Sequence, residues 1–208
     1  MQTIKTIIFD LGGVLIDWNP NYVFEKKIPD ADKRKFFFEN ICTFEWNEQQ
    51  DEGRTIKQGN QVKIKEFPEW ESEILAYYSE WPNMLGDAIK GTLDVFEKLK
   101  QSNNYTILAL TNWSAETFPI AKAMERFSFL NNFDGIVVSG TEKVMKPNPK
   151  IFEILFERYN VKPQEAVFID DNNRNIIAGN KMGLNTIHFQ NPSQMIDELK
   201  NFGIIMDI

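Results

Sequence analysis

Ile4-Lys5-Thr6-Ile7-Ile8-Phe9-Asp10-Leu11-Gly12-Gly13 is the stretch that decides the fold. A mostly apolar run ends in an aspartate, and the chain then breaks at paired glycines. Two further runs have the same form: Tyr105 to Leu110 ends in Thr111-Asn112, and Ala166 to Ile169 ends in Asp170-Asp171. Strands buried on both faces of a parallel sheet read as continuous apolar stretches, and open α/β sheets bind ligands beyond the carboxyl ends of their strands. Lys146, in Met145-Lys146-Pro147-Asn148-Pro149, stands just before a helical pattern. A carboxylate, a hydroxyl, an ammonium and an acidic pair are thus expected at one crevice. Together they form a set of groups suited to phosphoryl transfer.

Outward from these runs, helical and strand patterns alternate. The spacing predicts a helix over Asp87 to Lys100, with Ile89, Leu93, Phe96 and Leu99 on one face, and then the Tyr105–Leu110 strand. A helix near Glu116 to Phe127, interrupted by Pro119, is followed by a short strand at Gly135 to Ser139 and a helix at Pro149 to Tyr159. Strand Ala166 to Ile169, helix Asn173 to Met182 and strand Asn185 to Phe189 complete the alternation, which implies βαβ crossovers and a parallel sheet. Gly12 to Pro20 reads as a turn-rich stretch. From Asn19 to Pro82 the character changes to aromatic and charged residues at helical spacing, cut by Pro20, Pro29, Gly53, Gly59, Pro68 and Pro82. The expected division is an α/β core over 1–18 and 83–208 with a helical insertion over 19–82.

Composition narrows the class. The 208 residues suffice for a sizeable core, and 42% hydrophobic with 25% charged residues is ordinary for a globular protein. A formal net charge of −7 argues against a nucleic-acid surface. Cys42 is the only cysteine, so no intrachain disulfide is expected, and its aromatic surroundings (Phe36, Phe37, Phe38, Phe44) suggest packing. No stretch approaches the ~20 apolar residues of a membrane span, and the amino terminus has no secretory pattern. The expectation is a cytoplasmic protein with a small phosphorylated substrate and no nucleic-acid, membrane or obligate protein partner.

Phe9-Asp10-Leu11-Gly12-Gly13-Val14-Leu15-Ile16-Asp17, Leu110-Thr111-Asn112, Lys146-Pro147 and Ile169-Asp170-Asp171 resemble, in order, the signatures of the haloacid dehalogenase-like (HAD) hydrolase superfamily, in particular its sugar-phosphate phosphatases with a small helical cap. The resemblance spans roughly the whole chain. It implies an α/β fold, a Rossmann-like parallel-sheet core with an inserted α-helical cap over 19–82, and a Mg²⁺-dependent phosphomonoester hydrolase working through an aspartyl-phosphate.

Asp10 is the expected nucleophile. A carboxylate and a phosphate dianion approach only with positive compensation, which Asp170-Asp171 supply by holding a hard cation. By the resemblance, Asp10, the Gly12 carbonyl and Asp171 are inner Mg²⁺ ligands, Asp170 holds the ion either directly or through water, and Asn175 supports the water shell. Thr111 offers a hydroxyl and, with Asn112, backbone N–H groups to the phosphoryl oxygens, and Lys146 neutralises both Asp10 and the transferring group.

Gly12 departs from the family pattern. Many of these phosphatases carry a second aspartate there as general acid and base, and Gly12 has no side chain. Asp17, or the cap acids Glu48, Asp51 and Glu52, are candidates to replace it, although acids on insertion helices usually face water. His188 is expected to be structural, and Trp113 either lines the entrance or packs in the core. Two other functions are weighed. A 2-haloacid dehalogenase would need no metal, and Asp170-Asp171 argues against it. A non-catalytic phosphate-metabolite-binding regulator is favoured by Gly12 and opposed by Asp10, Lys146 and Asp171 together.

Overall fold

The computed structural model describes residues 3–204. Seven strands follow in chain order: β1 (Thr6–Phe9), β2 (Ile16–Trp18), β3 (Leu85–Ala88), β4 (Thr106–Thr111), β5 (Gly135–Val138), β6 (Ala166–Asp170) and β7 (Asn185–His188). Five of them form one parallel sheet in the order β5-β4-β1-β6-β7. All five were expected, the three central ones as apolar runs. Side chains alternate between two buried faces: Ile7, Phe9, Ile107, Ala109, Val167 and Ile169 pack into one cluster, while Ile8, Leu108, Leu110 and Phe168 pack into the other. That is why these strands show no polar alternation.

β1 lies at the centre, paired with β4 on one side and β6 on the other, with Ile7 opposite Ile107 and Val167. The chain builds one half of the sheet from β4 and β5 and the other from β6 and β7, so the order reverses at β1. A crevice therefore opens beyond its carboxyl end. Asp10 sits there.

The structure corrects several boundaries. The Asp87 helix begins later, at Lys90–Ser102, because Leu85–Ala88 pairs antiparallel with Ile16–Trp18. The stretch from Gly12 to Pro20, read as turn, thus contains one arm of a small two-stranded flap. Neither arm was legible, since a partner some 70 positions away cannot be read from a local pattern. Gly86, in β3, has to be a glycine for the flap to close, because a Cβ there would lie 2.3 Å from Asp17 Oδ2 on β2. The expected Glu116–Phe127 helix is a short helix, Phe118–Lys122, followed by a 3₁₀ stretch at Glu125–Asn132. Pro119 opens that helix instead of interrupting it, since a first-turn proline lacks only an N–H that would be unpaired anyway. A final helix, Pro192–Asn201, follows β7 by the same device, capped by Asn191.

Between β2 and β3 the described residues are helical, with no strand among them: Asn21–Lys27, Ala31–Phe36, Phe37–Ile41, Phe44–Asp51, Ile56–Glu66, Pro68–Trp70, Glu71–Ser79 and Trp81–Met84. Aromatic stacking holds this segment together. Phe24 stacks on Phe37 at 4.9 Å and Trp46 meets Tyr77 edge-on at 5.2 Å. Tyr78 stacks on Trp81 at 5.5 Å. Trp46, whose Nε1 donates to the Gly59 carbonyl at 3.1 Å, faces this interior.

Under the sheet, Phe96 is fully buried between Phe133 (4.6 Å between centroids), Phe129 and Phe9. Truncating such a side chain loses transfer energy and leaves a cavity that rigid rings close poorly. Phe96→Ala is expected to cost about 3–5 kcal/mol in urea unfolding. A loss below about 1 kcal/mol would mean that the aromatic layer collapses to fill the gap.

Candidate active site

Lys146 is the centre of the site. Its side chain is 0% exposed, and its ammonium donates to the Leu110 carbonyl at 2.7 Å and to Asp170 Oδ2 at 2.7 Å, with Asp10 Oδ1 at 3.0 Å. All three ammonium protons are therefore directed at protein acceptors. Burial alone would lower the Lys146 pKa, but Asp10 and Asp170 outweigh it and hold the group above its usual value. Asn112 fixes the lysine from behind: its Oδ1 accepts from the Lys146 N–H and its Nδ2 donates to the Lys146 carbonyl, both at 2.9 Å. Asn112, expected to offer a backbone N–H to phosphate, lines the cavity, and its side chain clamps Lys146.

Asp10 follows β1, with its N–H donating to the Ile169 carbonyl at 2.8 Å. Its Oδ1 accepts from both the Leu11 N–H (2.8 Å) and Lys146, while no donor reaches Oδ2 among the described residues. Burial pushes its pKa up to about 7, Lys146 opposes that rise, and Asp170 and Asp171 add to it. Asp170 is fully buried and saturated, accepting from Lys146, the Asn172 N–H (2.8 Å) and Asn175 Nδ2 (3.0 and 3.1 Å). Asn175, expected near a metal's water shell, is here a holder of Asp170. Asp171 is the exposed member, and partial desolvation of its carboxyl, reinforced by the charge of Asp170, raises its pKa. Carboxylate oxygens of Asp10, Asp170 and Asp171 lie within 4.8 Å of one another, a group able to hold a metal ion.

Gly13 makes this proximity possible. Its φ is +74°, and a Cβ there would sit 2.3 Å from Asp171 Oδ2. Backbone conformation and space thus both require glycine. Gly12 differs: a Cβ there meets nothing within 4 Å. Thr111 is 1% exposed and its hydroxyl has no hydrogen-bond partner among the described residues.

These residues back a cavity of about 300 Å³. Asp10, Gly12, Gly13, Asp171 and Asn112 form its floor, and Trp18, Phe44, Trp81 and Trp113 line it with aromatic surface. Phe44, Asn47, Glu48 and Asp51 bring the helix Phe44–Asp51 from the insertion to the same cavity. Arg174 pairs with Glu48 at 2.6 Å, and Ser139 Oγ donates to the Asp51 carbonyl while accepting from the Trp113 N–H. Trp113 both packs and lines, with Nε1 donating to Thr117 Oγ1 at 3.1 Å. His188 stands closer to the site than its sequence distance implied. β7 places it opposite Asp170, and its Nε2 lies 3.0 Å from the Asp171 carbonyl. Cys42 is buried, with its thiol pKa pushed up by burial, as packing requires.

The description "haloacid dehalogenase-like hydrolase" belongs to the family model that matches residues 4–183. The chain is 26% identical to a sesquiterpene phosphatase of Aspergillus oryzae over 204 residues, covering 95% of this chain and 96% of that protein. It is 24% identical to a D-ribitol-5-phosphate phosphatase of Bacteroides thetaiotaomicron over 202 residues, covering 94% and 97%. Among solved structures, a HAD family enzyme from Bacteroides thetaiotaomicron, in complex with magnesium and inorganic phosphate, superposes with a TM-score of 0.67 at 26% identity, covering 90% of this chain and 95% of that one. No helix among the described residues is long and apolar enough to cross a membrane.

Removing one partner of a buried ion pair leaves an uncompensated charge. Lys146→Met would leave Asp10 and Asp170 facing each other without a cation, holding the folded pKa of Asp10 still further above the unfolded ~3.9. Carboxyls whose folded pKa is raised weigh against the fold increasingly as pH rises through that interval. The variant is therefore expected to lose about 3–5 kcal/mol at pH 8 and clearly less at pH 5, by chemical denaturation. An equal deficit at both pH values would reduce Lys146 to a packing role.

Proposed function

We propose that this chain, which belongs to the haloacid dehalogenase-like hydrolases, hydrolyses phosphomonoesters of small neutral metabolites through an aspartyl-phosphate on Asp10. The observation that carries the reading is the fully buried Lys146 ammonium between Asp10 Oδ1 and Asp170 Oδ2, with Asp171 alongside. It holds Asp10 by one oxygen and leaves Oδ2 as the oxygen that attacks phosphorus.

The donor set is all oxygen and mostly carboxylate, with one exposed member, which suits Mg²⁺. Asp10, the Gly12 carbonyl and Asp171 would hold the ion, with Asp170 outside the inner set because its oxygens already accept from protein donors. Bound there, Mg²⁺ would offset the negative charge of carboxylate and phosphate together. The superposable Bacteroides enzyme was solved with magnesium and inorganic phosphate, which supports the assignment. Thr111 supplies the buried hydroxyl that lacks a partner, available to a phosphoryl oxygen. Lys146 acts by orienting Asp10 and keeping positive charge beneath the transferring group.

The body of the substrate is read from the cavity wall. No Lys, Arg or His lines it among the described residues, so nothing there would bind a second anionic group. Trp18 and Trp81 line it with aromatic faces suited to stacking against a sugar or polyol, and each carries a buried indole N–H with no acceptor among the described residues. A sugar or polyol phosphate meets both demands. The phosphatases among the relatives, one named for D-ribitol 5-phosphate and another from Thermotoga maritima for phosphorylated carbohydrates, support that class. Residues 19–82 serve as the cap over the core of 1–18 and 83–208, closing the cavity and excluding water during transfer.

Asp10→Asn removes the attacking charge at nearly constant volume. Turnover of a sugar phosphate is expected to fall by ~10³-fold or more with the fold intact, and wild-type activity to vanish with EDTA and return with Mg²⁺. Turnover within about threefold of wild type would sink the nucleophile. Metal-independent halide release from 2-chloropropionate, without phosphatase activity, would establish a dehalogenase.

The cap's contact with substrate has its own test. Phe44 lines the cavity and is 53% exposed, whereas Trp46 faces the cap interior and Glu52 faces solvent. Phe44→Ala is expected to raise KM for the best sugar phosphate severalfold while leaving kcat/KM for a small aryl phosphate within about twofold. Equal losses on both substrates would mean that Phe44 supports the fold only.

A further inference from the structure

Gly12 leaves the proposed phosphatase without the side chain that would protonate a leaving alcohol and later deprotonate water. A Cβ at Gly12 would project into open space, so the position has room for the missing group and simply lacks it. An acid reaching the cavity from elsewhere would complete the site.

The acids considered from sequence are now separable by geometry. Asp17 lies in the β2–β3 flap, where its Oδ2 accepts from the Tyr22 hydroxyl, and it does not line the cavity. Glu52 is exposed and also lies outside the lining. Glu48 does line the cavity, but its Oε1 holds Arg174 at 2.6 Å. Asp51 lines the cavity, is 8% exposed and makes no ion pair among the described residues. Its Oδ2 accepts from Asn47 Nδ2 at 2.9 Å, and Asn47 Oδ1 in turn accepts from the Tyr78 hydroxyl. Its backbone is held too: the Asp51 carbonyl accepts from Ser139 Oγ in the core. Gly53, at φ +107°, turns the chain away at once, and a Cβ there would lie 3.1 Å from the Gly140 carbonyl oxygen. This carboxyl is placed with care, and neither packing nor charge pairing accounts for it.

Resting on the phosphatase reading, we propose that Asp51 is the general acid and base of the reaction, supplied by the helix Phe44–Asp51 in place of a side chain at Gly12. As Asp10 Oδ2 bonds to phosphorus and the ester P–O bond breaks, the Asp51 carboxyl gives its proton to the departing alcohol oxygen. The resulting Asp51 carboxylate then takes a proton from water as that oxygen bonds to phosphorus. The bond to Asp10 breaks, inorganic phosphate leaves, and Asp51 is protonated again. Burial raises the Asp51 carboxyl to about 7, opposed by the Ser114 backbone N–H and reinforced by the facing charges of Glu48 and Asp10, so both protonation states are accessible near neutrality.

The test uses the full chain with Mg²⁺ and two esters: an alkyl phosphate, whose leaving group needs a proton, and 4-nitrophenyl phosphate, whose leaving group does not. Asp51→Asn is expected to lower kcat for the alkyl ester ~10²-fold or more. With the nitrophenyl ester it should release the first equivalent of nitrophenol nearly as fast as wild type and then slow, giving a burst that wild type lacks. Gly12→Asp in the Asp51→Asn background should restore part of the alkyl phosphatase rate. A thermal melt guards against misfolding. Because the folded pKa lies above the unfolded ~3.9, the Tm of Asp51→Asn relative to wild type should improve from pH 5 to pH 8. Equal losses on both esters with no burst, or wild-type rates on the alkyl ester, would overturn the assignment of Asp51 while leaving the phosphatase reading standing. A wild-type chain that hydrolyses neither ester would overturn both.

Discussion

One ammonium group organises the functional end of this molecule. Lys146 Nζ has no exposure to solvent, and the groups it contacts come from the three central strands: Asp10 just after β1, Leu110 in β4 and Asp170 in β6. A buried charge is tolerated only when its partners satisfy it fully, and here three acceptors match three protons. The arrangement works in both directions. The lysine stays charged because two carboxyls surround it, and those carboxyls can be brought together beneath a ligand site because the lysine lies between them.

Much of the surrounding structure serves to keep that contact in place. Asn112 clamps the lysine's own peptide groups, Asn175 and the Asn172 N–H fill the remaining capacity of Asp170, and His188 reaches the Asp171 carbonyl from the neighbouring strand. Gly13 clears the path for Asp171. Side chains locked by packing and secondary hydrogen bonds hold a site to the tolerance that phosphoryl transfer requires. Three asparagines thus do positioning work around one aspartate and a lysine.

What was legible in the sequence follows from how local each signal is. The three central parallel strands announced themselves because each is buried on both faces, so their runs are almost wholly apolar, and the two outer strands were read from the alternation with helices. Asp10, Lys146 and Asp170-Asp171 were legible because each closes a strand or opens a helix. The β2–β3 flap was not, because Gly86, Asp87 and Ala88 have little strand propensity and owe their pairing to Ile16–Trp18 far earlier in the chain. The role of Asn112 was missed for the same reason: its partner Lys146 lies 34 residues away. His188 carried no signal until the register placed it opposite Asp170. Among the cap acids the sequence had no means of choosing, since Glu48, Asp51 and Glu52 are near neighbours on one short helix and its end. Only the orientation of that helix against Ser139 and Arg174 separates them.

That orientation has a consequence for how the enzyme is built. A family aspartate at position 12 would be a fixed part of the core loop, present whether or not substrate is covered. An acid carried on the helix Phe44–Asp51 is in position only when that helix is docked. Its contacts with the core include Arg174 to Glu48 and over the Phe44 ring, and Ser139 to the Asp51 carbonyl, while Glu116 Oε1 accepts from the Ile56 N–H at the start of the next helix. The Glu116–Ile56 contact is exposed and Arg174 is half exposed, so these are worth little individually. The Ser139–Asp51 hydrogen bond, by contrast, is buried and would have to break for the helix to move during substrate entry and product release. On the proposed assignment, proton transfer and water exclusion are governed by the same movement, and protonation of the leaving group is confined to the closed state. The glycine at position 12 then reads as a transfer of the acid from the rigid part of the molecule to the part that recognises the substrate.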